Sequence, residues 1–220
     1  MLKNLIIINA GKFGREVFTW AQQAIQAGAP WRIKGFLDDR PNILNAFHYE
    51  TPILGSVENY PPEPEDRFLC AIGEPPLKKR YCSILEAKGA QFATLIHPLA
   101  LVGHEVQIGA GSILAPFTQL SCNIHLGKHV TFGTFSGAGH DSRIGDWSQI
   151  NGHCGINGNA VLEEGVFLGG HVCILPKAKV GAWAYVGAGS VVLRRVAPYS
   201  KVFGNPAVAI DPSESKGTEL

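Results

Sequence analysis

From Val102 to Val192 every sixth residue is apolar, sixteen positions in register without a miss. At 45% apolar composition, such a run arises by chance on the order of once in a hundred thousand chains, even with a free choice of phase. A helix repeats near 3.6 residues and a plain strand at 2, so neither explains it. A short strand followed by a corner repeats at six, and three such units close into a triangular coil of eighteen residues. Coils stacked at roughly 4.8 Å per rung, each hydrogen-bonded to the next as parallel sheet, predict a prism about 25 Å tall.

Two further phases fit that geometry. Glycine follows the inward position at nine sites, among them Gly103, Gly127, Gly139 and Gly187, and asparagine follows it at Asn151 and Asn157. These are the residue types expected where a chain turns a tight corner. Two residues before the inward site the chain is mostly small or β-branched, as at Ser112, Thr118, Ser136, Ser148, Ala160 and Ser190, which suits the crowded corner of a prism. A two-sheet β-sandwich would need irregular strand lengths and hairpin turns, and nothing of that kind interrupts residues 102–192.

Before the repeat the pattern alternates between strand and helix. Leu5 to Ile8 reads as a buried strand, Arg15 to Ala27 as a helix, Ile33 to Leu37 as a strand, Phe68 to Ile72 as a strand and Leu77 to Lys88 as a helix. The expected organisation is a small α/β, Rossmann-like domain over residues 1–96 and an all-β parallel β-helix over 97–210. A polar, disordered tail is expected over 211–220. Pro61, Pro62 and Pro64 mark a loop inside the first domain, since strand signal resumes at Phe68.

Between the first strand and helix runs Asn9-Ala10-Gly11-Lys12-Phe13-Gly14-Arg15-Glu16. Its glycines would let backbone amides approach an anion at the helix N-terminus. Asp38 and Asp39 follow the second strand, where a ribose or base contact is expected. The turn has Asn9 where a dinucleotide fingerprint has its first glycine, so a nicotinamide cofactor is weakly indicated. A sugar nucleotide makes the same demands, with a pyrophosphate for the amides and a nucleoside for a carboxylate or backbone partner.

A net charge of +1 gives no basic field for a polyphosphate backbone, so nucleic-acid binding lacks compositional support. The early apolar run Leu5–Ile8 is too short for a signal-peptide core, and the chain is expected to be cytoplasmic and free of membranes. Five cysteines, Cys70, Cys82, Cys122, Cys154 and Cys173, show no CxxC spacing and read as reduced. Cys154 falls in the small-residue corner phase and reads as core filler.

In two domains at once the chain resembles the sugar-nucleotide N-acetyltransferases of the hexapeptide-repeat superfamily, the bacillosamine and perosamine type, to which sialic acid O-acetyltransferases are related in layout. The resemblance rests on Ala10-Gly11-x-Phe13-Gly14-Arg15-Glu16, Phe36-Leu37-Asp38-Asp39, Ala71-Ile72-Gly73 and Ile96-His97-Pro98, and on Gly139-His140-Asp141-x-x-Ile144-Gly145-Asp146 and Gly204-Asn205-Pro206-Ala207. It implies a left-handed β-helix, a homotrimer with each active site between two subunits, and acetyl transfer from acetyl-CoA, without a metal, to the amine of a nucleotide-linked amino-deoxysugar. A 4-amino-4,6-dideoxyhexose made for a surface polysaccharide or glycan is the expected acceptor.

By the same matching His140 is the catalytic base, an imidazole able to take the amine's proton near neutral pH. Asp141, where relatives often carry glutamate, is the acid that favours the imidazolium as it forms. Neighbours along a strand point to opposite faces, so that pair requires a bend between them. Gly158, Gly170 and Ala188 would line the pantetheine groove of acetyl-CoA, and Gly11, Phe13, Gly14, Asp38, Asp39, Ile72 and Gly73 would hold the sugar nucleotide. Gln149 and Gly133 depart from the pattern, standing where some relatives carry a second active-site histidine and an asparagine.

Rival readings remain open. Sugar or sialic acid O-acetyl transfer needs a base at least as much as N-acetyl transfer, so His140 does not separate the two. A zinc carbonic-anhydrase-like β-helix would draw on His125, His129, His153 and His171, but would leave the first domain without a use. A sensor that binds the same ligands without turnover is the third. His153 and His171, eighteen residues apart, are expected to stack on one face in successive coils, with His129 at the same phase on a different face. Phe135, Trp147, Phe167 and Trp183 make the prism wall more apolar than a solvated surface, and are expected to be covered by other subunits or by the first domain.

Overall fold

The computed structural model describes residues 2–210. The tail expected at 211–220 lies outside the described residues. The chain opens with β1 (Lys3–Ile8), α1 (Lys12–Gln26), β2 (Trp31–Leu37), β3 (Asp66–Cys70) and α2 (Pro75–Ala87). The three strands form a parallel sheet in the order β2-β1-β3. Helix α1 buries Val17, Phe18, Ala21 and Ala24, the stripe that a 3.6-residue period presents to a sheet. Gly14 lets that helix lie close, since a Cβ there would sit 1.8 Å from the Asn9 carbonyl oxygen.

The rest of the described chain is a parallel β-helix with three faces built from two-residue rungs. Face 1 runs from Leu95–Ile96 through Ile113–Leu114, Thr131–Phe132, Gln149–Ile150 and Phe167–Leu168 to Tyr185–Val186 and Lys201–Phe203. Face 2 carries rungs such as Gly137–Ala138 and Gly155–Ile156, and face 3 rungs such as His125–Leu126 and Arg143–Ile144. Successive rungs pair eighteen residues apart, Thr131 with Gln149 and Gln149 with Phe167. Of the sixteen apolar positions fourteen are buried; Ile108 is half-buried, and Val102, on the first turn, is 40% exposed.

The period stops at Val192 for a visible reason. In the last turn Lys179 pairs with Arg195 and Tyr185 with Lys201, a spacing of sixteen. Two residues have been lost, so Val196 and Val202 take the inward sites and Pro198 does not. An antiparallel pairing of Lys201–Phe203 with Val208–Ala209 closes that end.

From Ser112 onward the small-residue corner phase is buried, with Ser112, Ser136 and Ser148 at 1% exposure or less. Its hydroxyls serve the next coil: Ser136 Oγ donates to the Asn151 carbonyl at 2.7 Å and accepts from the Cys154 amide at 3.0 Å. A net contribution of about 1 kcal/mol for each such bond is ordinary. Cys154 belongs to the same phase, and burial pushes its thiol up to about 11.

The expected part played by the glycines needs correcting. The left-handed residue of each corner stands three positions after the inward site, as at Phe117, Asn123, Asp141 and Trp147. The glycines one position after that site answer a close approach instead. A Cβ on Gly103 would lie 1.8 Å from the Ser121 carbonyl oxygen, and one on Gly139 2.7 Å from the Gly158 nitrogen.

The two units are joined by more than a linker. Leu95–Ile96 already pairs with Ile113–Leu114 in face 1. Trp147 and Trp183, at the corner between faces 3 and 1, pack into the cluster that holds Ile6, Leu37 and Phe68. Those two aromatics of the wall are thus covered by the α/β unit. Its helix α2 buries Pro75, Lys78, Cys82 and Leu85, a stripe in which one apolar place is taken by a lysine.

Candidate active site

His140 and Asp141 lie at the corner between faces 2 and 3. The strand Gly137–Ala138 ends there, and Asp141 takes the left-handed conformation with φ of 59°. That bend brings two sequence neighbours together, and Asp141 Oδ2 lies 2.8 Å from His140 Nδ1. The hydrogen bond from His140 holds the Asp141 carboxyl below its ordinary value, so at neutral pH it is an anion that only accepts. Nδ1 is therefore the donor to that carboxylate, and in the neutral imidazole this tautomer places the lone pair on Nε2. Asn123, one coil away, donates to Asp141 Oδ1 at 3.4 Å.

Gly158 occupies the matching place on the next coil. A Cβ there would come within 2.6 Å of His140 Nε2 and 2.8 Å of Cε1, so the imidazole rests in space that only glycine leaves. The Asn159 amide donates to the His140 carbonyl at 2.8 Å and fixes the backbone beneath the ring. Gly170 and Ala188 are elsewhere, one coil apart at the corner between faces 1 and 2. Within one chain the three residues matched to a pantetheine groove are thus divided between two corners, with face 2 between them. That face is low where Gly137 and Gly155 supply its outward positions.

A second concavity, of about 570 Å³, lies between the α/β unit and face 1. Phe13, Asp38, Asp39, Ile72 and Gly73 line it, as do Asn151 and Phe167 of the prism. Gly11 and Gly14 are not among its lining residues: Gly14 is packed against Asn9, and the Gly11 amide donates to Asn9 Oδ1 at 3.0 Å. Asn9 holds φ of 76°, which asparagine tolerates better than most residues, and so replaces the missing first glycine of the turn.

Asp38 is not free to receive a ribose. Its Oδ2 accepts from the Ala10 amide at 2.9 Å and from Arg40 Nη2 at 2.9 Å, and its Oδ1 from the Arg40 amide and Arg40 Nε. Burial raises the Asp38 carboxyl, but the guanidinium and the two amides outweigh it and hold the group below its ordinary value. The result is a guanidinium clamped along its Nε–Nη2 edge, with Nη2 also donating to Asn9 Oδ1 at 3.3 Å and Nη1 without a protein partner among the described residues, at the mouth of the concavity. Arg40, not Asp38, offers it a charged donor, and Asp39 stands exposed with the Tyr81 hydroxyl 3.5 Å away. Sequence order alone does not single out Arg40, because its clamp depends on the burial of the Asp38 carboxylate.

The remaining histidines are scattered. His125, on face 3, meets Gln107. His129 is buried at the corner between faces 3 and 1, stacked on Trp147 at 4.4 Å, with Nε2 3.1 Å from Glu86. His153 and His171 stack at 4.6 Å, as their spacing requires, at the corner between faces 1 and 2. They continue an exposed column begun by Phe117 and Phe135, whose rings lie 4.8 Å apart. Phe135 is thus left uncovered by its own chain, while Phe167 stacks on Tyr185 and faces the concavity.

The fold has counterparts among known proteins. Residues 4–85 match the PglD N-terminal domain family. The chain is 29% identical over 167 residues to the GDP-perosamine N-acetyltransferase of Escherichia coli O157:H7, covering 74% of each protein. Among solved structures it is similar to the acetyltransferase domain of PglB from Neisseria gonorrhoeae FA1090, with a TM-score of 0.84 and 25% identity over 94% of this chain and 100% of that one. It is likewise similar to WeeI from Acinetobacter baumannii AYE, with a TM-score of 0.81 and 27% identity over 94% and 99%. The chain therefore joins a region that matches the PglD N-terminal domain to a left-handed parallel β-helix, and over most of its length it is similar to acetyltransferases.

Proposed function

We propose that the protein transfers the acetyl group of acetyl-CoA to the amine of a nucleotide-linked amino-deoxysugar, a 4-amino-4,6-dideoxyhexose, with His140 as general base. The observation that carries this reading is the His140–Asp141 pair, with Nδ1 bonded at 2.8 Å and Nε2 open above Gly158. The sugar's nitrogen attacks the thioester carbonyl, and the N–C bond forms as the C=O electrons move onto oxygen. His140 Nε2 takes the ammonium proton while Asp141 stabilises the imidazolium. The C–S bond then breaks, and the proton passes to the departing sulfur, leaving an amide and free coenzyme A. The perosamine-acting relative from Escherichia coli O157:H7 supports an amine over a hydroxyl acceptor.

The concavity under the α/β unit suits the sugar nucleotide, with Arg40 for its phosphates and Phe13 and Phe167 for its flat or apolar parts. It ends at the corner between faces 1 and 2, whereas His140 stands at the next corner. One chain's cleft and its own histidine are thus separated by a face, which favours a site completed by a second copy, in a homotrimer. The exposed column from Phe117 to His171 supplies surface for that contact. Acetyl-CoA and nucleotide sugars are made in the cytoplasm, which is the compartment this chemistry needs.

The test is thiol release from acetyl-CoA with UDP-, dTDP- and GDP-linked 4-amino sugars. His140→Ala should lower turnover by about a hundredfold or more, the usual scale for a general base. Near-normal turnover in that variant would remove His140 from the mechanism, and sedimentation as a monomer would remove the shared site.

A further inference from the structure

The helix α2 inserts Lys78 wholly into the junction between the two units, with no carboxylate within bonding reach of it among the described residues. Its ammonium meets the His129 carbonyl at 3.3 Å, Thr131 Oγ1 at 3.1 Å, the Ser148 carbonyl at 3.5 Å and Gln149 Oε1 at 3.0 Å. Burial pushes it down to about 8. A buried cation of this kind is a poor means of holding two units together, since well-packed apolar groups do that at least as well.

What a lysine does that an apolar residue cannot is orient an amide. Lys78 has only N–H groups to offer, so the end of the Gln149 carboxamide that faces it is the oxygen. The Gln149 NH2 must then point away, and it does, donating from Nε2 to Asn151 Oδ1 at 3.2 Å. With its oxygen taken, Asn151 is left to present its own NH2 to the cleft that it lines. Gln149 is itself buried, so water is not at hand to relax the order.

We propose that Lys78 and Gln149 are positioning residues that fix Asn151 as a hydrogen-bond donor into the cleft, where it binds an acceptor oxygen of the sugar nucleotide. This rests on the nucleotide-sugar reading above.

Gln149→Glu isolates the effect. The new carboxylate still accepts from Lys78 and keeps the junction satisfied, but it has no N–H for Asn151, whose amide then turns its oxygen toward the cleft. Calorimetric titration without acetyl-CoA, using UDP-, dTDP- and GDP-linked 4-amino sugars, reads the consequence beside thermal unfolding. The expected result is a melting temperature equal to or above that of the wild type, with affinity for the bound sugar nucleotide lowered about tenfold or more. Asn151→Asp, at a half-exposed position, accepts from Gln149 on one oxygen and shows the cleft the other, and should lose affinity to the same degree. It decides the matter alone if Gln149→Glu does not fold. Wild-type affinity in both folded variants overturns the relay and leaves the nucleotide-sugar reading standing. Failure of the wild type to bind any of the three nucleotides overturns that reading and the relay with it.

Discussion

Gly158→Ala tests whether the empty space under His140 is what seats the base. The backbone at 158 lies outside the left-handed region, so alanine introduces no strain of its own. The added methyl would stand 2.6 Å from Nε2, 2.8 Å from Cε1 and 3.1 Å from Cδ2 of His140, against ordinary contacts of about 3.5 Å. The ring must retreat by about 1 Å, and its bond to Asp141 must stretch or turn with it. A displacement of about that size in a reacting group costs on the order of a hundredfold in rate. Stability should hardly change, because the His140 side chain is 59% exposed and can swing into solvent. The assay is the initial rate at saturating acetyl-CoA and amino sugar, beside a melting curve expected to move by no more than about two degrees. A double variant with His140→Ala should be no slower than His140→Ala alone, since the methyl acts only through the ring. Turnover within a few-fold of wild type would refute the reasoning. So would a defect confined to the KM for acetyl-CoA, which would make Gly158 part of the thioester groove and not a seat for the base.

Two other outcomes follow from charged groups in the α/β unit. Lys78 sits near 8 in the folded protein against an ordinary 10.5; between those values the unfolded chain holds a proton that the folded chain has shed, so this group adds stability as pH rises. Below about 8 both states are protonated and the cost of burial is fully present. The stability of the wild type relative to Lys78→Met should therefore climb by about 3 kcal/mol between pH 8 and 10.5, measured by denaturant unfolding across that range, and a flat difference would mean that the ammonium is not desolvated. Asp38→Asn should release Arg40 from its clamp and raise the KM for the sugar nucleotide several-fold while leaving that for acetyl-CoA alone; equal effects on both would argue that Arg40 does not face the nucleotide.

The prism was legible because inward burial leaves a periodic trace, and fourteen of the sixteen apolar positions lie in the core as their spacing requires. The stacking of His153 on His171, and the placing of His129 apart from them, followed from that period too. What stayed hidden depends on distances between coils, which a period does not carry. The glycines were assigned to the turn, when the left-handed place is two residues further on and the glycines relieve contact with the neighbouring rung. Asp38 was read as a ligand contact from its place after a strand, but nothing in sequence order told that Ala10 and Arg40 would saturate it. Lys78 could have been suspected, since it takes an apolar place in the stripe that includes Cys82 and Leu85. The end of the repeat was out of reach, because the loss of two residues in the last turn looks like simple loss of pattern until the strand pairing is known.

The sharing of face 1 between the last segment of the α/β unit and the prism has a thermodynamic corollary. With Leu95–Ile96 hydrogen-bonded into that sheet, the connection between the two units is tied down at the cleft and restrains its opening. A ligand arriving there finds walls already set, and little of its binding energy is spent on ordering the protein. The heat of nucleotide binding should then report direct contacts and released water, with scarcely any contribution from folding or closure of the chain.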